Sequence, residues 1–133
     1  MASDFYKKVE EIIEKDKRYK ADAYEFVMHA LGFTQKKLKR QGHVTGAELV
    51  KGIRDMGLEL YGPMALNVLT HWGIKTTSDF GEMVFNMIEC GLMGKTEKDS
   101  RKDFRDIYDL KDVFDSKKQF KLKEKDFVTD GHP

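Results

Sequence analysis

The stretch that decides the fold runs from residue 45 to residue 94 and reads TGAELVKGIRDMGLELYGPMALNVLTHWGIKTTSDFGEMVFNMIECGLMG. Thr45 and Glu48 stand three positions apart at its start, which is the spacing of a capping box at a helix N-terminus. Gly62-Pro63 breaks the helix that follows, and Gly73 ends the next one. The stretch therefore predicts three short helices in succession.

Apolar residues recur at helical spacing along these three helices, and each stripe marks the face that we expect to pack on the core. In chain order the stripes are Leu49, Ile53, Met56 and Leu60; Ala65, Val68, Leu69 and Trp72; and Phe80, Met83, Val84, Met87 and Ile88. Gly52 and Gly57 lower the helix propensity of the first helix. We therefore expect a neighbouring element to pack closely against these two glycines.

Two further helices are predicted before this stretch. The first begins after Ser3 or Asp4, where apolar residues recur at helical spacing. The second runs from about Ala21 to Leu38 and carries apolar residues on two opposite faces, which indicates a helix buried between neighbours. Gly42 lies just beyond its basic end and stops it.

The stretch after Gly94 has two interpretations. In one, Lys95–Lys102 is the tip of a two-stranded β-wing and Phe104–Leu110 is its aromatic return strand. In the other, Ser100 caps a single helical turn. A helix followed by a polar tip and a strand is the order of elements in a winged helix-turn-helix module, so the first interpretation places the chain in that class.

Together these patterns predict a mainly α fold. We expect one small domain of about five helices over residues 1–115, with a winged helix-turn-helix-like arrangement and a small β-wing as a variant of it. The length of 133 residues suits one domain with a core of its own. Residues 116–133 form a Lys-rich C-terminal tail that we expect to be mobile.

The composition restricts the classes of function. The formal net charge is only +1, so no global excess of positive charge points to nucleic acid. Cys90 is the only cysteine, which excludes an internal disulfide and fits a reducing cytosol. The N-terminus lacks the apolar core of a signal peptide, and no apolar run approaches the roughly 20 residues of a membrane span. We therefore expect a cytoplasmic protein that does not enter a membrane.

Few residues suggest catalysis or metal binding. Glu25 and His29 stand four positions apart on the second helix, but no other His or Cys stands close enough in sequence to complete a metal site. Cys90 lies at a helix C-terminus beside Glu89, which suits a structural residue better than a nucleophile. The sequence predicts no catalytic, cofactor-binding or metal-binding residues and no cofactor, and an enzyme ranks third among the hypotheses.

The charge of the third helix in the central stretch bears on DNA binding. Residues 79–90 hold three acids and no Lys or Arg, and residues 41–94 hold three basic against six acidic residues, a net charge of −3. Such a surface repels the phosphates that supply much of the affinity for DNA. The leading hypothesis is a non-catalytic interaction module that binds a protein partner or itself. The alternative is a nucleic-acid-contacting regulator with a winged-helix-like fold.

The two hypotheses use different residues. The candidate contacts for a protein partner are Phe85, Glu82 and Glu89, and those for nucleic acid are Lys36, Lys37, Lys39 and Arg40. Phe85 lies off the predicted core stripe at 100° per residue. Either it packs under the segment 95–110, or it is exposed and marks a contact surface, because aromatic side chains are enriched at interfaces.

Several longer strings carry a resemblance to a known family. They are HVTGAEL at 43–49, YGPMA at 61–65, YKADAYEFV at 19–27, WGI at 72–74, DFGE at 79–82 and DFRDIY at 103–108. In these strings the chain resembles the Minf-type family of uncharacterised bacterial proteins, over roughly residues 10 to 115. The resemblance implies a small bacterial cytosolic protein and brings no activity with it. The Lys-rich tail lies outside it.

Overall fold

The computed structural model describes residues 2–94 and 100–115, and the mainly α prediction is confirmed for them. The α-helices are α1 (Ala2–Lys15), α2 (Ala21–Lys37), α3 (Gly46–Tyr61), α4 (Ala65–His71), α5 (Thr77–Glu89) and α6 (Leu110–Phe114). Two 3₁₀ turns, Gly62–Met64 and Arg101–Phe104, join α3 to α4 and precede α6. The five longer helices are the five that the apolar periodicity predicts.

The expected return strand of the wing is not formed. Ser100 begins the 3₁₀ turn Arg101–Phe104, and its hydroxyl accepts a hydrogen bond from the Lys102 N–H at 3.2 Å. The capped turn was therefore the correct interpretation, and residues 2–94 and 100–115 contain no strand. The wing tip at 95–99 and the tail at 116–133 lie outside the described residues.

The position of Phe104 explains why this segment turns inward. The side chain is 4% exposed and packs between the start of α3 and the middle of α5. A Cβ added to Gly81 would lie 2.9 Å from Phe104, and one added to Gly46 would lie 3.1 Å from its ring. The Thr77 hydroxyl donates to the Phe104 carbonyl at 2.6 Å, which ties the turn to α5. Burial of this ring replaces the extended strand that the sequence pattern suggested.

Helix α2 lies at the centre of the fold, as its two apolar faces predict. It packs against α1, α3 and α5. Residues on both of its faces are buried, among them Tyr24 and Val27 on one face and Phe26 and Ala30 on the other. The buried core also includes Val9, Leu49, Val50, Ile53, Ala65, Leu69, Phe80, Met83, Met87, Leu110 and Phe114.

The predicted close packing at Gly52 and Gly57 is confirmed. A Cβ added to Gly52 would lie 1.8 Å from the Thr34 hydroxyl oxygen of α2, and one added to Gly57 would lie 3.2 Å from the Phe114 ring of α6. Only glycine allows α3 to approach α2 this closely.

The capping box that opens α3 is confirmed. The Glu48 N–H donates to Thr45 Oγ1 at 3.1 Å, and the Thr45 N–H donates to Glu48 Oε1 at 2.8 Å. A similar arrangement begins α5, where Asp79 Oδ2 accepts from the Thr76 N–H at 3.0 Å. These side chains satisfy backbone donors that a helix N-terminus leaves without intrahelical partners.

The predicted position of Leu60 in the core is wrong. Leu49, Ile53 and Met56 of the same stripe are buried, but Leu60 is 59% exposed. The last turn of α3 turns Tyr61 inward instead. The Tyr61 ring packs on Trp72 with 5.9 Å between centroids, in a cluster that also contains Phe26. Leu60 lies in the last turn of α3, next to the break at Gly62-Pro63, so its exposure belongs to the helix end.

Candidate functional site

Two apolar side chains stand out on the surface where α3 ends. Leu60 is 59% exposed and Met64 is 56% exposed, with the exposed Pro63 between them in sequence. We call these three residues the 60–64 patch. The 3₁₀ turn that carries Pro63 and Met64 packs against α4 and α6, so these two helices support the patch on its inner side.

A cavity of about 330 Å³ opens between α2, the loop before α3, and α5; we call it the loop cavity. Its lining is mostly apolar. The lining residues are Leu31, Gln35, Gly42, His43, Val44, Thr45, Gly46, Leu49, Val84, Phe85, Ile88, Met93, Gly94 and Phe104. The volume is that of a small ligand site, because such sites range over about 300–1,000 Å³.

Hydrogen bonds hold the loop that forms one wall of the loop cavity. The Gln35 side-chain amide donates to the Gly42 carbonyl at 2.9 Å. Arg40 Nη1 pairs with Glu48 Oε1 at 2.7 Å. The same Glu48 oxygen completes the capping box with Thr45. These hydrogen bonds to Arg40 and Thr45 lower the pKa of Glu48, so the carboxylate is charged at neutral pH.

Phe85 lies in the wall of the loop cavity and is only 9% exposed. The Arg101 guanidinium carbon lies 4.9 Å from the centroid of its ring, which is a cation–π distance. The structure agrees with the first explanation for this aromatic residue, that it packs under the segment 95–110. The ring lies under the 3₁₀ turn that carries Arg101, in the described part of that segment.

Glu82 is engaged by two arginines from separate parts of the chain. Arg18 lies 3.1 Å from one of its carboxylate oxygens, and Arg101 lies 2.9 Å from the other. Arg18 also pairs with Asp16 at 2.7 Å. Glu82 therefore joins the loop after α1 to α5 and to the 3₁₀ turn before α6.

Asp16 belongs to the same network through Arg18. Its hydrogen bonds with the Arg18 side chain hold its pKa well below the usual range, and the Asn86 side-chain amide, which donates to it at 3.0 Å, acts in the same direction. The same amide lies 3.1 Å from the hydroxyl of Tyr24, whose pKa is raised by burial. This network joins the loop after α1 to α2 and α5.

Two of the three candidate contacts on α5, Glu82 and Phe85, both lie against Arg101. Phe85 lines the loop cavity, and Glu82 is held between two arginines. Glu89 lines a different cavity of about 340 Å³ between α1 and α5, together with Lys15 and Cys90.

The basic residues at the end of α2 are partly compensated. Lys37 pairs with Asp55 of α3 at 2.7 Å, and Arg40 pairs with Glu48. Lys36 and Lys39 are exposed. Two of the four candidate nucleic-acid contacts, Lys37 and Arg40, therefore form ion pairs with residues of α3.

The remaining chemical candidates are placed as follows. Glu25 accepts a hydrogen bond from the Tyr6 hydroxyl. The Cys90 thiol is partly buried and lies 3.5 Å from the Met87 carbonyl of its own helix. Among residues 2–94 and 100–115, no three His, Cys, Asp or Glu side chains come together as metal ligands do.

Comparison with known proteins yields no relatives: no protein-family model, curated protein or solved structure matches the chain. Within the described part of the chain, none of the helices combines the length and the apolar character that a membrane crossing needs.

Sequence reasoning missed both the 60–64 patch and the loop cavity. Leu60 continues a regular apolar stripe, and such a stripe predicts a core residue. The available signal was the adjoining Gly62-Pro63, because a stripe that reaches a helix end can extend beyond the neighbouring helices. For the loop cavity, the sequence held no signal that brings α2, α5 and Phe104 together.

Proposed function

We propose that this domain is a non-catalytic interaction module that binds a protein partner or a second copy of itself through the 60–64 patch. The observation that carries the proposal is the exposure of Leu60 and Met64, which are the most exposed large apolar side chains of the described residues. Removing such side chains from water favours association. Methionine is enriched at interfaces and adapts its shape to a partner.

The charges of the domain support a protein partner over nucleic acid. The Lys37–Asp55 and Arg40–Glu48 pairs would have to loosen before those cations could neutralise phosphates. Lys37 and Arg40 are also exposed, at 56% and 45%, but each is held in an ion pair, so the nucleic-acid alternative depends more on the exposed Lys36 and Lys39. The acids of α5 add repulsion, so this alternative ranks second.

The 60–64 patch has better support as a contact surface than Phe85, Glu82 and Glu89. A buried ring offers a partner little area, and a carboxylate held by two arginines would lose those ion pairs on binding. Glu89 remains an exposed candidate for the rim of an interface. The proposed placement in the cytoplasm of a bacterium rests on the family resemblance and on the single cysteine.

Site-specific photo-crosslinking tests the proposal. A photoreactive amino acid replaces Met64 in one variant and Leu38 in a control variant, since Leu38 is also an exposed large apolar residue, at 40%. Both variants are irradiated in the native cells, and the adducts are identified by mass spectrometry. Position 64 is expected to give a discrete adduct, with a second copy or with one partner, that position 38 does not give.

The Leu60→Ser substitution completes the design. It should abolish the adduct at position 64, because it removes the other large exposed apolar side chain of the proposed surface, and it should leave the urea midpoint of the domain nearly unchanged. The proposal is rejected if position 64 gives no adduct, if position 38 gives the same one, or if the adduct persists in the Leu60→Ser background.

A further inference from the structure

We propose that the loop cavity binds a small uncharged amphipathic molecule, namely an aromatic ring or short acyl chain that ends in a hydroxyl or amide group. This site is separate from the 60–64 patch and independent of the proposed function. The volume of the cavity, the distribution of its lining and the charges beside it point to such a ligand.

Apolar side chains from several elements form most of the wall. They are Leu31 from α2, Val44 from the loop, Leu49 from α3, Val84, Phe85 and Ile88 from α5, Met93 from the segment after it, and Phe104 from the 3₁₀ turn. When these groups enclose an apolar ring or chain, apolar surface of both the ligand and the cavity is removed from water, which favours binding. The volume of about 330 Å³ admits a ligand with one or two rings.

The polar side chains of the lining are confined to one side. Gln35 comes from the last turns of α2, while His43 and Thr45 come from the loop that follows. Backbone groups of Gly42 and Gly46 belong to the same loop and the start of α3. Gly42 and Thr45 already accept hydrogen bonds within the loop, but carbonyl and hydroxyl oxygens can accept more than one. A ligand donor can therefore bind at this end while its apolar part meets the other walls, which is the usual pattern of a small-molecule site.

Both sides of the loop cavity are held in place without a ligand. The Gln35–Gly42 hydrogen bond and the Thr45–Glu48 capping box fix the loop. On the opposite side, Thr77 binds the backbone of Phe104, and Phe104 packs against glycines of α3 and α5. A wall held in this way loses little conformational entropy when a ligand binds.

The charges beside the polar end argue for an uncharged ligand. The Arg40 guanidinium and the Glu48 carboxylate are paired at 2.7 Å, so each compensates the charge of the other. A charged ligand would lose its hydration here without meeting a counter-charge. A neutral hydroxyl or amide loses less hydration and can still hydrogen-bond at this end.

Two probes with the same ring system separate these properties. 2-Naphthol is uncharged at neutral pH, whereas 2-naphthoate carries a carboxylate on the same bicyclic ring. Each is titrated into the ¹⁵N-labelled full-length protein, and amide shifts are followed by NMR. 2-Naphthol should give saturable shifts concentrated at residues 42–49 and 84–94, and 2-naphthoate should bind at least tenfold more weakly.

Variants that fill the loop cavity test the location. Ile88→Phe and Leu31→Phe enlarge partly buried side chains on different walls, and either folded variant should weaken 2-naphthol binding at least tenfold. Leu66→Phe is the matched control, because Leu66 is also partly buried but lines a different cavity beside α4 and α6. It should bind 2-naphthol as the wild type does.

Four results would overturn the assignment. One is the absence of saturable, localised shifts with 2-naphthol. Another is equal binding of 2-naphthol and 2-naphthoate, since the site would then not select an uncharged ligand. The third is unchanged binding in the folded cavity-filling variants. Binding that is lost equally in Leu66→Phe also counts against it, because the effect would then not be specific to the loop cavity.

Discussion

The contact between α2 and α3 at Gly52 allows a quantitative prediction. In the Gly52→Ala variant the new methyl carbon would lie 1.8 Å from Thr34 Oγ1 and 3.0 Å from Thr34 Cβ. Thr34 is 3% exposed, and its hydroxyl donates to the Ala30 carbonyl at 2.7 Å. The threonine therefore has little room to move, and the two helices must separate or the side chain must leave its rotamer.

The expected magnitude follows from two opposing effects. Gly→Ala within a helix gains about 1 kcal/mol of propensity. Overpacking a core typically costs about 1–3 kcal/mol, and loss of the Thr34 hydrogen bond adds about 1 kcal/mol. We expect Gly52→Ala to lower the free energy of unfolding by about 1–3 kcal/mol.

Urea denaturation followed by circular dichroism at 222 nm measures this change. Gly32→Ala is the matched control, because Gly32 lies within α2 and a Cβ there would meet nothing within 4 Å. It should raise the free energy of unfolding by up to about 1 kcal/mol. The two Gly→Ala variants should thus shift the urea midpoint in opposite directions.

A double-mutant cycle with Thr34→Ala tests the assigned cause. Removing Oγ1 eliminates the 1.8 Å contact but leaves the contact at 3.0 Å between the two Cβ atoms, so the rescue should be partial. We expect a favourable coupling of about 0.5–3 kcal/mol. If Gly52→Ala is as stable as Gly32→Ala, or if the two effects at positions 34 and 52 are simply additive, the reasoning about this contact is refuted.

Four further outcomes are expected. Thr45→Ala should cost about 0.5–2 kcal/mol in urea denaturation, whereas Thr45→Ser should retain most of the cap; equal losses would argue against the capping box. Phe85→Ala should cost about 3–5 kcal/mol, as a buried Phe does; near-native stability would show that the ring contributes little to the core. Thr77→Val should cost about 1–3 kcal/mol, because the buried Thr77 hydroxyl bonds two backbone groups of the segment before α6. Amide hydrogen exchange should show the loss of protection in residues 104–107. Pairing with Arg18 depresses the pKa of Asp16 in the folded state, so the stabilisation from Asp16 is fully present above its unfolded pKa of about 3.9 and is lost as the pH falls below that value. Asp16→Asn should therefore be less stable than the wild type at pH 7, and the two should approach each other near pH 2. A constant difference in stability across that range would contradict this assignment.

Helix positions in this protein follow from local signals in the chain. The Thr45–Glu48 capping box needs only residues three positions apart, and Gly62-Pro63 interrupts a helix whatever surrounds it. The two apolar faces of α2 likewise predicted a helix packed on both sides. Such features depend on neighbours in sequence, so they were readable without the fold.

The folding of the segment after Gly94 depended on distant contacts. Its sequence suits a strand or a capped turn, and both satisfy the local preferences. The choice was made by Phe104, which finds space against Gly46 and Gly81 in two helices that are far from it in sequence. Local propensity does not depend on that space, because the space exists only when α3 and α5 are packed together.

The surface features were decided in the same way. Leu60 belongs to a regular apolar stripe, yet it is exposed in the last turn of α3. The loop cavity combines walls from α2, α3, α5 and the 3₁₀ turn. An apolar stripe indicates which residues can be buried. The length and position of the neighbouring helices determine which of those residues a helix covers. Shape and exposure are properties of the assembled helices, and only the tertiary structure contains them.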